Sequence, residues 1–191
     1  MIRKPNTASR VIATLAGLAL TVSLTGCAAA SQFVETVRTA TSTAGLTGAD
    51  GYIPAGDSLP LTSDKPAVTK LDPALLSALR SADSAAKDER GITITITDGW
   101  RSARYQDFLF EQAVQKYGSE EEASKWVRRS TDSAHVTGHA VDVATADAMD
   151  FLNRFGSRWG ICQVYANEIW HFEMRTTPGG TCPPMAADGR G

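Results

Sequence analysis

Apolar positions in this chain fall into short, separate patterns. Val11 to Leu24 is an apolar run broken only by Thr, Ser and Gly, and Arg3, Lys4 and Arg10 precede it. The run is shorter than the roughly 20 residues that span a bilayer and has the form of an export signal. From Ala28 to Lys65 the chain is rich in Ala, Ser, Thr and Gly. Gln32 to Thr39 could form a short helix there, and the rest reads as a flexible tether over residues 28–65. The folded domain is expected over residues 66–191. Asp72-Pro73 pairs an N-cap with Pro at the first helical position, Leu75, Leu76 and Leu79 give that helix an apolar face, and Gly91 ends it. Ile92, Ile94 and Ile96 alternate with Thr93, Thr95 and Thr97, the cleanest strand pattern in the chain, and Asp98-Gly99 turns it. Helices are predicted over 105–117, 119–129 (Ser119 as cap, Glu122 completing a capping box) and 147–155. Short strands are predicted over 139–144 and 168–174. Strands spread among helices predict an α+β fold with a small antiparallel sheet.

Composition narrows the class. With 42% hydrophobic and 21% charged residues in 191, the chain can bury one core of ordinary size but not two. The formal charge of −2 includes Arg3, Lys4 and Arg10; without that leader, 16 basic residues face 21 acidic ones, a net of −5. A mildly acidic domain without a basic stripe argues against nucleic-acid binding.

The apolar run ends in Leu24-Thr25-Gly26-Cys27, which resembles the bacterial lipobox. That implies cleavage before Cys27 (residues 1–27 being a lipoprotein signal peptide), lipidation of Cys27, and a domain anchored to the membrane outside the cytoplasm. Ordinary secretory cleavage near Ala28 to Ala30 is the alternative. Cys162 and Cys182 remain, an even pair in an oxidising compartment, and are expected to form a disulfide contributing about 3 kcal/mol by loop closure. The competing use of Cys162, as a metal ligand, is disfavoured because better ligands are present.

Two segments carry the chemistry: Ser133-Ala-His-Val-Thr-Gly-His-Ala-Val-Asp142 and Glu168-Ile-Trp-His171. His135, Asp142 and His171 are ligands of the types zinc accepts, and catalytic zinc sites use three protein ligands with one position open. Gly138 permits a turn after His135, and the strand that follows presents Ala140 and Asp142 on one face. The order Ser-x-His-x-x-Gly-x-Ala-x-Asp, then Glu-x-Trp-His, resembles the VanY-type D-alanyl-D-alanine carboxypeptidases and their dipeptidase relatives. That group shares its metal site with the lysostaphin-like and hedgehog-like folds. The resemblance runs from about Leu71 to Met174. It includes Gly99-Trp-Arg-Ser102 with Gln106 following, and departs at Ile169, where many members have Pro.

The resemblance implies a hedgehog/D,D-peptidase-like fold holding one Zn2+ ion on His135, Asp142 and His171. It implies Glu168 as the general base that takes a proton from the attacking water and passes it to the leaving amine. Arg101 would stabilise the oxyanion, and Ser133 and Gln106 would contact substrate. The expected activity is removal of the terminal D-Ala from peptidoglycan stem peptides by a monomer. Two other readings stay open: a D,D-dipeptidase or endopeptidase, and a non-catalytic zinc-binding wall lipoprotein. Glu173, on the same strand face as His171, competes with Glu168 for the base role; its plainer reading is a surface carboxylate or a partner of Arg175. His139 is expected at the rim, because Val136 and Gly138 rule out a helical His-Glu-x-x-His site.

Overall fold

Residues Asp72, Ser102 and Thr145 each begin a helix by accepting backbone N–H groups on a side-chain oxygen, and the core lies between those helices and one sheet. The computed structural model describes residues 45–191. The export run, the short helix over 32–39 and Cys27 lie outside the described residues.

Strand β1 (Leu59–Pro60) leads through helix α1 (Pro66–Thr69) to the longest helix, α2 (Pro73–Arg90). Asp72 Oδ1 accepts from the amides of Ala74 and Leu75 at 2.9 and 3.0 Å, and Gly91 closes α2 at φ 67°. Its buried residues Leu75, Leu79, Ala82 and Ala86 recur at helical spacing and form the stripe that packs into the main core. Strand β2 (Thr95–Asp98), helices α3 (Ala103–Tyr117) and α4 (Glu120–Ala123), strand β3 (Ala140–Val143), helix α5 (Ala146–Phe155) and strands β4 (Ile161–Gln163) and β5 (His171–Met174) follow. All strand pairs are antiparallel, in the order β1-β2-β3-β5-β4. Ile96, Val141, Val143 and Phe172 from the sheet meet Leu75 and Leu79 of α2 and Phe151 of α5 in the core. The α+β prediction holds, with five strands rather than the three foreseen.

Three predicted boundaries are corrected. Residues 45–65 belong to the folded unit, not to a tether. Leu59 pairs with Ile96, Leu61 is buried, and the Arg80 guanidinium donates to the Leu61 carbonyl at 3.0 and 3.1 Å. Asp50 accepts from Ser102 and Arg104, tying this stretch to the start of α3. The helix foreseen over 119–129 stops at Ala123. Beyond it, the carbonyls of Lys125 and Arg128 accept from Asn167, Gly189 and Gln106, so they are not available to a helical ladder. The last strand starts at His171, because Glu168–Trp170 forms a turn closed by His171 N–H on the Glu168 carbonyl at 3.2 Å.

Candidate active site and metal centre

His135 lies in the turn before β3. Gly138 makes that turn at φ 76°, and its carbonyl accepts from Asp72 N–H at 2.9 Å. A Cβ there would stand 2.4 Å from the Lys70 carbonyl oxygen, so only glycine lets the turn lie against the start of α2. The His135 ring is braced by the Gly99–Ser102 segment. Nδ1–H donates to the Gly99 carbonyl at 2.8 Å, and Arg101 N–H returns a bond to the His135 carbonyl at 3.1 Å. Nε2 of His135 is thereby left as an acceptor facing inward.

Asp142 on β3 is directly opposite His171 on β5. Three donor atoms converge: His135 Nε2 and His171 Nδ1 are 3.2 Å apart, His171 Nδ1 and Asp142 Oδ1 3.3 Å, and His135 Nε2 and Asp142 Oδ1 3.4 Å. Zinc bonds of 2.0–2.1 Å in tetrahedral directions place ligand atoms about 3.3 Å apart. The donor set and its spacing therefore fit one zinc ion with a fourth position open, and these three residues form the metal-type cluster found among the described residues.

Glu173 is not placed to be the base. Its Oε1 accepts from His171 Nε2–H at 3.0 Å, on the side of the ring away from the cluster, and Arg175 donates to its Oε2 at 3.3 Å. A carboxylate behind a ligand histidine fixes which ring nitrogen is free and makes that nitrogen more basic. The sequence placed Glu173 on the right face but could not tell which ring nitrogen it meets.

The electrostatics follow from burial and charge. Burial opposes ionisation of Asp142, but His135, His171 and Arg101 outweigh it and hold its carboxyl well below the usual range. Burial would lower His171, yet its bonds to Asp142 and Glu173 raise it to about 9; a cation on Nδ1 would displace that proton. For His135 burial and the nearby Arg101 prevail and the value falls. Glu168, turned inward with Oε2 3.9 Å from His171 Nδ1, is raised to about 7, chiefly by burial. It is a carboxyl able to hold or release a proton near neutrality.

Arg101 is buried, with both Nη groups hydrogen-bonded. Nη2 donates to Asp142 Oδ2 at 2.8 Å, Nη1 to Gln106 Oε1 at 3.0 Å, and Nε stands 3.1 Å from Asp98 Oδ1. Gln106 Nε2 donates in turn to the Arg128 carbonyl at 2.7 Å, so Gln106 braces two arginines with both of its polar atoms. Ser133 lines the same pocket of about 200 Å³, as do His135, Asp142, Glu168 and His171. His139 is exposed and bonds Thr137, outside the cluster. Cys162 and Cys182 form the expected disulfide, with Cα atoms 5.8 Å apart, which removes Cys162 as a ligand. Sequence reasoning missed Arg128, Tyr165 and Gly189 as parts of the pocket wall. Arg128 sat in a segment predicted helical, and Gly189 in a tail with no periodic signal.

The family model described as VanY, D-alanyl-D-alanine carboxypeptidase, matches residues 68–172. The chain belongs to this family. None of the curated proteins compared with it matches. Among solved structures, it is similar to a mutant of the vancomycin-resistance D,D-pentapeptidase VanY from a VanB-type cassette in complex with Zn(II). That match has 20% identity and a TM-score of 0.52, and covers 64% of this chain and 82% of that one. VanYB in complex with D-alanine-D-alanine matches at 20% identity and TM-score 0.52, covering 64% and 81%. The LD-carboxypeptidase LdcB matches at 23% identity and TM-score 0.52, covering 69% and 72%. At these identities the likeness establishes the shared fold. In this VanY-family chain, His135 and Asp142 of the first motif and His171 of the second meet at one point of it.

Proposed function

We propose that this protein is a zinc-dependent D,D-carboxypeptidase that removes the terminal D-Ala from peptidoglycan stem peptides. It would work outside the cytoplasm, anchored through lipid on Cys27. The observation that carries the reading is the convergence of His135, Asp142 and His171 at 3.2 to 3.4 Å beside a carboxyl raised to about 7. One zinc ion held by these residues supplies Lewis acidity, polarising a carbonyl and acidifying water. Glu168 takes a proton from the attacking water and gives it to the leaving amine, since its raised value lets it carry the proton between those two steps. Arg101 is held rigid by Asp98, Asp142 and Gln106, so its charge is preorganised beside the pocket for the developing oxyanion. Ser133 contacts substrate. Gln106 acts through the two arginines it braces.

The substrate class draws support from the family and from the relatives whose structures contain D-alanine-D-alanine or address peptidoglycan recognition. The location draws support from the N-terminal motif and from the disulfide, which suits an oxidising compartment. The test is incubation of the purified protein with a stem pentapeptide, with and without chelator, with products followed by mass. Loss of one D-Ala, abolished by chelator and by Glu168→Gln, is the expected result. A zinc-loaded protein that leaves the pentapeptide intact would remove this reading.

A further inference from the structure

The turn that carries Glu168 is only loosely closed by its own bonds. Glu168 N–H reaches the Tyr165 carbonyl at 3.4 Å, and His171 N–H reaches the Glu168 carbonyl at 3.2 Å. Both lie at or beyond the long edge of the ordinary hydrogen-bond range. The shorter bonds come from outside the turn. Ala166 N–H donates to the Ala186 carbonyl at 2.8 Å, and Ala186 N–H donates to the Val164 carbonyl at 2.9 Å. Asn167, the residue before Glu168, donates through Nδ2 to the Lys125 carbonyl at 2.9 Å.

Ala186 belongs to a C-terminal tail that lies beyond the family match, which ends at residue 172. The same tail shares the Lys125 carbonyl with Asn167, since Gly189 N–H donates to it at 3.0 Å. Arg128 Nε–H donates to the Gly189 carbonyl. Gly189 is buried, and a Cβ on it would stand 2.8 Å from the Ser124 carbonyl oxygen, so the tail sits flush against residues 124–128. Trp126, Val127 and Arg128 of that segment wall the pocket that Glu168 enters. The tail therefore straps the Glu168 turn to the facing wall. Its start is fixed by one covalent link, Cys182 to Cys162 on β4. Pro183 and Pro184 follow, each with φ fixed by its ring, so the hold at Cys182 is carried stiffly toward Ala186. Pro183, Pro184 and Met185 are exposed, so little packing holds this stretch once the link opens.

We propose that the Cys162–Cys182 disulfide is a redox switch on turnover: closed, it holds the tail as a brace that positions Glu168, and its reduction releases that brace. The inference rests on the peptidase reading above and names a regulation of that same site. Asn167 and Ala186 are positioning residues in this arrangement, acting through the backbone of the turn. The reductant is a dithiol. Its thiolate attacks the half-buried Cys182 sulfur, the buried Cys162 sulfur leaves, and the second thiol of the reductant resolves the mixed disulfide. Cys162 and Cys182 end as thiols, and the dithiol ends as a disulfide, so two electrons and two protons are transferred. The metal ligands are held otherwise. Asp142 and His171 are set by β3–β5 pairing and His135 by the turn at Gly138, so the base shifts while the cluster stays.

The experiment compares the oxidised protein with protein reduced by a phosphine, desalted without oxygen and supplied again with zinc, so that no thiol reagent competes for the metal. Reduction should lower kcat on a stem pentapeptide by about 10- to 100-fold, the scale of misplacing a reacting group by roughly 1 Å. KM and zinc content should change little, and reoxidation should restore kcat. Replacing Cys162 and Cys182 together with alanine should reproduce the loss without any reductant. Asn167→Ala cuts the bond to Lys125 but keeps the disulfide, and should lower kcat as well. Hydrogen exchange gives a readout apart from activity: the amides of Ala166, Ala186 and Gly189 should lose protection on reduction. Equal kcat in the oxidised and reduced proteins overturns the inference and leaves the peptidase reading standing. A loss that falls on KM and zinc content instead, or unchanged protection of those three amides, overturns it as well. Zinc-loaded protein that cleaves nothing in either redox state overturns the peptidase reading, and the switch on turnover falls with it.

Discussion

Glu173 Oε1 stands 3.0 Å from His171 Nε2, so the ring that offers Nδ1 to the metal cluster is held from behind by a buried carboxylate. Burial opposes the charge on Glu173, but the bond from His171 outweighs it and keeps the carboxyl below its ordinary value. Glu173→Gln preserves the shape and removes that charge. Zinc affinity should fall by about 10- to 100-fold, the usual effect of losing a partner behind a ligand histidine. Competition against a chromophoric chelator measures it. Unchanged affinity would reduce Glu173 to a packing role.

Gly138 should be as sensitive as the ligands, although it carries no chemistry. Its φ is positive, and any Cβ would come within 2.4 Å of the Lys70 carbonyl oxygen, so the position forbids a side chain. Gly138→Ala should cost about 1–3 kcal/mol of stability. Because the turn also carries His135, zinc affinity should drop with it. Denaturant unfolding of the metal-free protein, alongside zinc titration, reads both. Stability within a few tenths of a kcal/mol of the parent would mean the turn can relax.

His135, Asp142 and His171 were readable from sequence as a candidate metal cluster because each is of a type zinc accepts; β pairing sets Asp142 on β3 opposite His171 on β5, and the turn at Gly138 brings His135 beside them. Long periodic elements such as α2 were readable for a similar reason, since cap, Pro, apolar stripe and closing glycine agree. Residues 45–65 were not, because Ile53, Leu59 and Leu61 are too sparse for a periodic signal and are ordered by distant partners such as Arg80 and Ile96. The early end of α4 was hidden for the same reason. Carbonyls that a local reading assigns to a helix are taken by Gln106, Asn167 and Gly189 from far along the chain. The role of Glu173 depended on which ring nitrogen of His171 faced it, and strand alternation does not specify that.

The disulfide closes a separation of 20 residues between β4 and the tail. Replacing both cysteines with alanine should lower the unfolding free energy by about 3 kcal/mol, if loop-closure entropy dominates. The same change frees the segment that places Gly189 against Arg128, so limited proteolysis should cut the tail of the variant sooner. A tail equally protected in both proteins would show that its backbone bonds to Val164 and Lys125 suffice.

Glu168 makes a pH prediction with a definite sign. Burial raises its value from 4.5 to about 7, so the folded chain holds this proton more tightly than the unfolded chain does. Between those two values the unfolded state carries fewer protons at this site, and stability must fall as pH rises. Below the window both states are protonated, above it both are ionised, and the full cost of the buried charge is felt above about pH 7. His171, raised to about 9 from 6.5, adds stability that is complete below its ordinary value and is lost as pH rises through 9, so it must be separated from Glu168. Glu168→Gln does this, since it keeps His171 and removes the carboxyl. In chelator-treated protein, the melting temperature of the parent should fall relative to the variant from about pH 4.5 to 7. Saturating zinc should shrink that gap, because a nearby cation favours the ionised carboxylate. A gap that stays constant across the window would mean Glu168 titrates as an ordinary exposed glutamate and is not tuned for proton transfer.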